Sequence, residues 1–115
     1  MARIQLSAGA TAAQVMDTVR ETFESRDYLW ERSGPDTATA SEGGKPIGNL
    51  GVGVSQRLRV AITVDTGKQR LVLRQETIGA AYLNAGGPHV YLRLASRYRK
   101  MVKAVRQDLA AAALH

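Results

Sequence analysis

The segment from Pro88 to about Ala112 has two opposed faces, and this restricts the fold more than anything else in the sequence. At about 100° per residue, Val90, Tyr91, Leu94, Tyr98, Met101, Val102, Val105 and Leu109 fall on one side. Arg93, Arg97, Arg99, Lys100, Lys103 and Arg106 fall on the other, with Ser96 and Gln107. No acid stands between Arg93 and Gln107. The pattern predicts one long amphipathic helix that needs an apolar surface beneath it and leaves a cationic flank in water. Pro88 suits the first helical position, where a missing N–H costs nothing. Ala110 to Ala113 are expected to fray, and the terminal Ala-Ala-Ala-Leu-His also reads as an addition to the native chain.

The rest of the chain supplies strands and one further helix. Ala2 to Ser7 alternates as a short strand. Thr11 and Gln14 form a T-x-x-Q capping box that starts a helix ending near Ser25 or Arg26. Its stripe is Ala12, Val15, Met16, Val19 and Phe23, while Gln14, Asp17, Arg20, Glu21 and Glu24 face water. Tyr28–Arg32 and Thr37–Glu42 read as strands joined by turn-forming Ser33-Gly34-Pro35-Asp36. Ile47–Val54 is apolar but holds Gly48, Gly51 and Gly53, as a bent or bulged strand would.

Gln56–Asp65 is the clearest strand, with Leu58, Val60, Ile62 and Val64 on one face and Arg57, Arg59, Ala61 and Thr63 on the other. Gln69–Ile78 returns beside it. A two-residue Thr66-Gly67 loop would pair Ile62 with Leu71 and Val60 with Leu73. It would also set Arg59 beside Arg74, Arg57 beside Glu76 and Thr63 beside Arg70. Gly79 to Gly87 is a loop.

This order is β-α-β(4–5)-α, an α+β domain spanning residues 1–115 with a curved antiparallel sheet packed on a long C-terminal helix. In element order it resembles TBP-like and helix-grip domains, in which a curved antiparallel sheet wraps such a helix. The resemblance implies the fold and no functional residue.

Charge is divided along the chain. Residues 1–54 carry a net of −2 and residues 55–115 a net of +8. There is no cysteine, no apolar leader at Met1-Ala2-Arg3-Ile4-Gln5, and no apolar run of about 18 residues. The expectation is a soluble cytoplasmic protein without a transmembrane segment.

Little points to catalysis. The Gly48-x-x-Gly51-x-Gly53 spacing is not a phosphate loop, since the order differs and no G-K-[ST] follows. His89 and His115 are the only histidines, the acids are scattered, and there is no nucleophile elbow. No catalytic, metal or cofactor-binding residue is assigned, and no cofactor is implied.

Two functional readings remain. In the first, the chain is a ligand-binding or protein-interaction module. The space between sheet and C-terminal helix, lined by Trp30, Leu58, Tyr91, Tyr98 and Met101, holds a small apolar ligand, or a flat sheet face meets a protein partner or a second copy in a homodimer. The plain alternative is that those residues fill the core. In the second, the cationic flank meets nucleic acid, with Arg93, Arg97, Lys100 and Lys103 as phosphate contacts, joined by Arg57, Arg59, Arg70 and Arg74 of the sheet. The plain alternative there is a solvated cationic surface.

Overall fold

A computed structural model describes residues 1–43, 58–76 and 87–115, apart from the side chains of residues 87–92. Among the described residues, five strands and two helices follow in the order β1 (Ala2–Gln5), α1 (Ala12–Glu24), β2 (Tyr28–Arg32), β3 (Thr37–Glu42), β4 (Arg59–Asp65), β5 (Arg70–Gln75) and α2 (Gly87–Ala111). The fold is α+β. The strands form one sheet in the order β1-β5-β4-β3-β2, antiparallel throughout. The expected glycine-rich strand Ile47–Val54, the loop from Gly79, and Arg57 lie outside the described residues.

Alternation decides which sheet face is buried. Ile4, Ala38, Ala40, Val60, Ile62, Val64, Leu71 and Leu73 point to one side, each at most 4% exposed. Both helices cover that side. α1 contributes Val15, Met16, Val19 and Phe23, and α2 contributes Leu94, Met101, Val105 and Leu109. The other side carries Arg3, Glu31, Thr39, Arg59, Ala61, Thr63, Val72 and Arg74, and neither helix lies over it.

The capping box of α1 forms as expected. The Gln14 backbone N–H donates to Thr11 Oγ1 at 3.2 Å, and the Thr11 N–H donates to Gln14 Oε1 at 3.1 Å. The helix closes on Ser25, whose N–H donates to the Glu21 carbonyl.

The β4–β5 register differs from the expected one by two residues. Ile62 faces Leu73, Val64 faces Leu71, and Asp65 faces Arg70 across a four-residue turn, 66–69. The extra residues have partners. Lys68 N–H donates to Asp65 Oδ1 at 3.1 Å, and Gln69 takes φ 52. In that position the Gln69 carbonyl accepts from Leu6 N–H, and Nε2 donates to the carbonyls of Ser7 and Ala10, both at 2.9 Å. The turn is therefore built to hold β1 and the β1–α1 connection. An even shift keeps every side chain on its expected face but changes its neighbours. Arg59 is not beside Arg74, which faces Ala61. It pairs with Glu76 at 2.8 Å, and Thr63 faces Val72.

The C-terminal end is not frayed. Ala113 takes φ 60, its N–H donates to the Ala110 carbonyl, and Leu114 N–H donates to the Leu109 carbonyl at 2.8 Å. That is a Schellman closure. Leu114 is buried in the main core, and its carbonyl accepts from Ser7 N–H. His115 Nδ1 donates to the Gln5 carbonyl at 2.6 Å. The alanine-rich tail thus tethers the last helix to the first strand.

Candidate functional site

The spacing that buries Leu94, Met101, Val105 and Leu109 forces the remaining positions of α2 outward. Arg93, Arg99, Lys100, Lys103 and Arg106 are all exposed. From Arg93 to Arg106 the helix advances about 20 Å. These five cations and Gln107 make up the outer arc of α2, and no acid shares it. Asp108, the single acid of the helix, turns inward instead. Its Oδ2 accepts from Thr22 Oγ1 at 2.6 Å, fixing α2 against α1.

Arg97 stands apart from this arc. Its Nε lies 3.4 Å from Glu42 Oε2, and the other carboxylate oxygen accepts from Leu58 N–H at 3.2 Å. Glu42 faces Tyr28 across β2 and β3 on the helix-covered side. Arg97, Glu42 and Tyr28 thus form a polar cluster between sheet and α2. Burial pushes the Tyr28 phenol well above its usual range, and the Glu42 carboxylate adds to this, while Arg97 and Arg26 act more weakly the other way.

The neutral phenol is the form this fold favours, whereas an unfolded tyrosine loses its proton near pH 10. The stability that Tyr28 adds is therefore intact below about pH 10 and falls as the pH rises further. Tyr28→Phe is expected to make the urea midpoint decline less steeply over about pH 9.5–11. Equal slopes in variant and parent would contradict this. Tyr98 shares the trend in the parent, since burial raises its phenol against a smaller opposing hydrogen bond from the Ala2 backbone.

Four of the residues expected to line a ligand pocket occupy the sheet–helix layer. Leu58 and Met101 are buried in the core, and Trp30 and Tyr98 are half-buried against it. Trp30 lies tilted on Phe23 with ring centroids 6.2 Å apart, and Tyr98 Oη donates to the Leu73 carbonyl at 2.7 Å. The Tyr91 side chain is outside the described residues, as is that of His89. A hollow of about 380 Å³ opens elsewhere, between the two helices, lined by Thr18, Glu21, Ser25, Asp108, Ala111 and Ala112.

The arginines and lysines expected to form a single anionic-partner face are divided by the structure. Arg93, Lys100 and Lys103 lie on the outer side of α2. Arg59, Arg70 and Arg74 alternate with buried strand residues and so lie on the opposite side of the sheet. Arg59 is paired with Glu76 there, and Arg70 stands opposite Asp65. The uninterrupted cationic surface is the helical one, and it includes Arg99 and Arg106, which the candidate set omitted. Their signal was already in the helical projection. The Arg97–Glu42 pairing had none, because it joins segments far apart in the chain.

Among the described residues no group of three His, Cys, Asp or Glu side chains could hold a metal ion. No described helix is long and apolar enough to cross a membrane. In comparison with known proteins, the sequence matches no family model and no curated protein.

Proposed function

We propose that this chain is a non-catalytic nucleic-acid-binding domain that uses the outer face of α2. The observation that carries this is the exposed arc of Arg93, Arg99, Lys100, Lys103 and Arg106, uninterrupted by acid. Phosphate neutralisation releases counterions, so such a surface gains most from a dense polyanion. If three to five phosphates are engaged, affinity for a labelled oligonucleotide is expected to fall roughly 50- to 500-fold from about 50 to about 200 mM salt. Lys100→Glu/Lys103→Glu should abolish most of that binding while leaving the thermal midpoint nearly unchanged, since both residues are exposed. Unaltered affinity in that variant would refute the reading.

A second reading keeps the space between sheet and α2 as the binding site of a small apolar ligand. It is favoured by the half-buried Trp30 and Tyr98, which lie between the sheet and the helices that cover it. The Tyr28–Glu42–Arg97 cluster supports it too, because it sets a partly exposed ion pair beside that space. Trp30 fluorescence reports on this space. A saturable change with an apolar probe supports the reading, and an unchanged spectrum counts against it.

A further inference from the structure

The kind of nucleic acid follows from what surrounds the cationic arc. This step rests on the nucleic-acid reading above.

Single-strand binding gains about 1–3 kcal/mol per base from stacking on exposed rings. No described aromatic is available on this face. Phe23 and Tyr28 are buried, and Trp30 and Tyr98 are half-buried in the core beneath the helices. Among the described residues the arc therefore offers charge without stacking. Reading bases in a duplex requires a helix that projects into a groove about 12 Å wide. Here α2 is no projecting ridge, because α1 lies beside it in the same layer, joined through Thr22 and Asp108.

What the arc can reach is a rigid phosphate backbone. A duplex presents one negative charge per roughly 1.7 Å of its axis. About 20 Å of α2 thus faces several phosphates already fixed in space, and no strand needs to be ordered on binding. The neighbouring helix carries acids of its own. Asp17, Glu21 and Glu24 are exposed on α1, Glu24 is paired with Arg20, and Glu21 lines the hollow beside Asp108. Glu21 thus places negative charge beside the C-terminal end of α2, past Arg106.

We infer that the outer face of α2 is a sequence-indifferent track for the backbone of double-stranded nucleic acid, with Glu21 of α1 near its C-terminal end.

The test is a salt titration of the full chain against a duplex of about 20 base pairs, in two unrelated sequences, and against a single strand with the same number of phosphates. The duplex is expected to bind at least about tenfold tighter, the two sequences within about threefold of each other, with log affinity against log salt sloping near −4. The critical variant gains function. Glu21→Lys should tighten duplex binding about two- to fivefold, a result that misfolding cannot imitate. Arg99→Glu/Lys103→Glu/Arg106→Glu should remove binding.

Equal or tighter binding of the single strand, lost in the triple variant, would overturn the duplex inference and leave nucleic-acid binding standing. Discrimination between the two sequences, or no gain from the α1 reversal, would also overturn the inference alone. Absence of binding to either form, or binding that survives the triple variant, would overturn both. Anionic phospholipid vesicles or polyglutamate competing as well as duplex at equal charge would show that the face takes some other polyanion, and the inference would fall.

Discussion

Replacing Phe23 by alanine is expected to lower the unfolding free energy by about 3–5 kcal/mol. Phe23 is fully buried near the C-terminal end of α1. Its ring meets Tyr28 edge-on with centroids 5.1 Å apart and lies tilted on Trp30. Truncation removes the transfer free energy of the ring, both aromatic contacts, and the filling between α1 and β2. Each kcal/mol lost should lower the melting midpoint by roughly 3–5 °C in a chain of this size. Calorimetry or thermal circular dichroism gives the answer directly. A drop of less than about 1 kcal/mol would mean that the α1–β2 contact is not formed as described.

Leu114→Ala is expected to cost about 2–4 kcal/mol, although this residue stands next to the end of the chain. Its side chain joins the main core, and its backbone both closes α2 and accepts from Ser7 N–H. The companion change Ala113→Gly has the opposite sign. Ala113 holds a left-handed φ of 60, so glycine there relieves strain and should stabilise by about 0.5–1 kcal/mol. A frayed tail would make both substitutions silent, so urea denaturation of the pair separates the two pictures.

The tail shows where sequence reading lost its signal. Ala110-Ala111-Ala112-Ala113 carries no periodicity to distinguish a docked end from a loose one. Its order comes from Ser7 and Gln5, which lie at the other end of the chain. The β4–β5 turn is a similar case. Asp65-Thr66-Gly67-Lys68 has the chemistry of a tight hairpin, and local preference points to two residues. Tertiary demand chose four, because Gln69 then bonds Leu6, Ser7 and Ala10. Faces survived the change and neighbours did not, so the expected Arg59–Arg74 repulsion is replaced by an Arg59–Glu76 ion pair.

The candidate site was legible to the same extent. Which α2 residues face outward follows from helical spacing, and exposure of Arg93, Arg99, Lys100, Lys103 and Arg106 agrees with it. Whether those cations act together with Arg59, Arg70 and Arg74 depends on which sheet face the helix covers. No local pattern contains that information. Thr22 and Asp108 stood on the buried stripes of their helices, Thr22 at i+3 from Val19 and Asp108 at i+3 from Val105. They could have been noticed separately as polar residues in apolar rows, but their pairing required both helices to be placed.

The sequence by itself determined the local order: the capped first helix, the strands at Tyr28–Arg32 and Thr37–Glu42, the long last helix, and which side of each element is apolar. Those properties arise from capping, turn chemistry and periodicity, which act over a few residues. Tertiary structure alone decided that β1 lies beside β5, that both helices share one sheet face, and that Arg97 is held by Glu42 while its neighbours stay in water. The reason is that these contacts join residues distant along the chain. Their free energy exists only once the core has closed and brought them within reach.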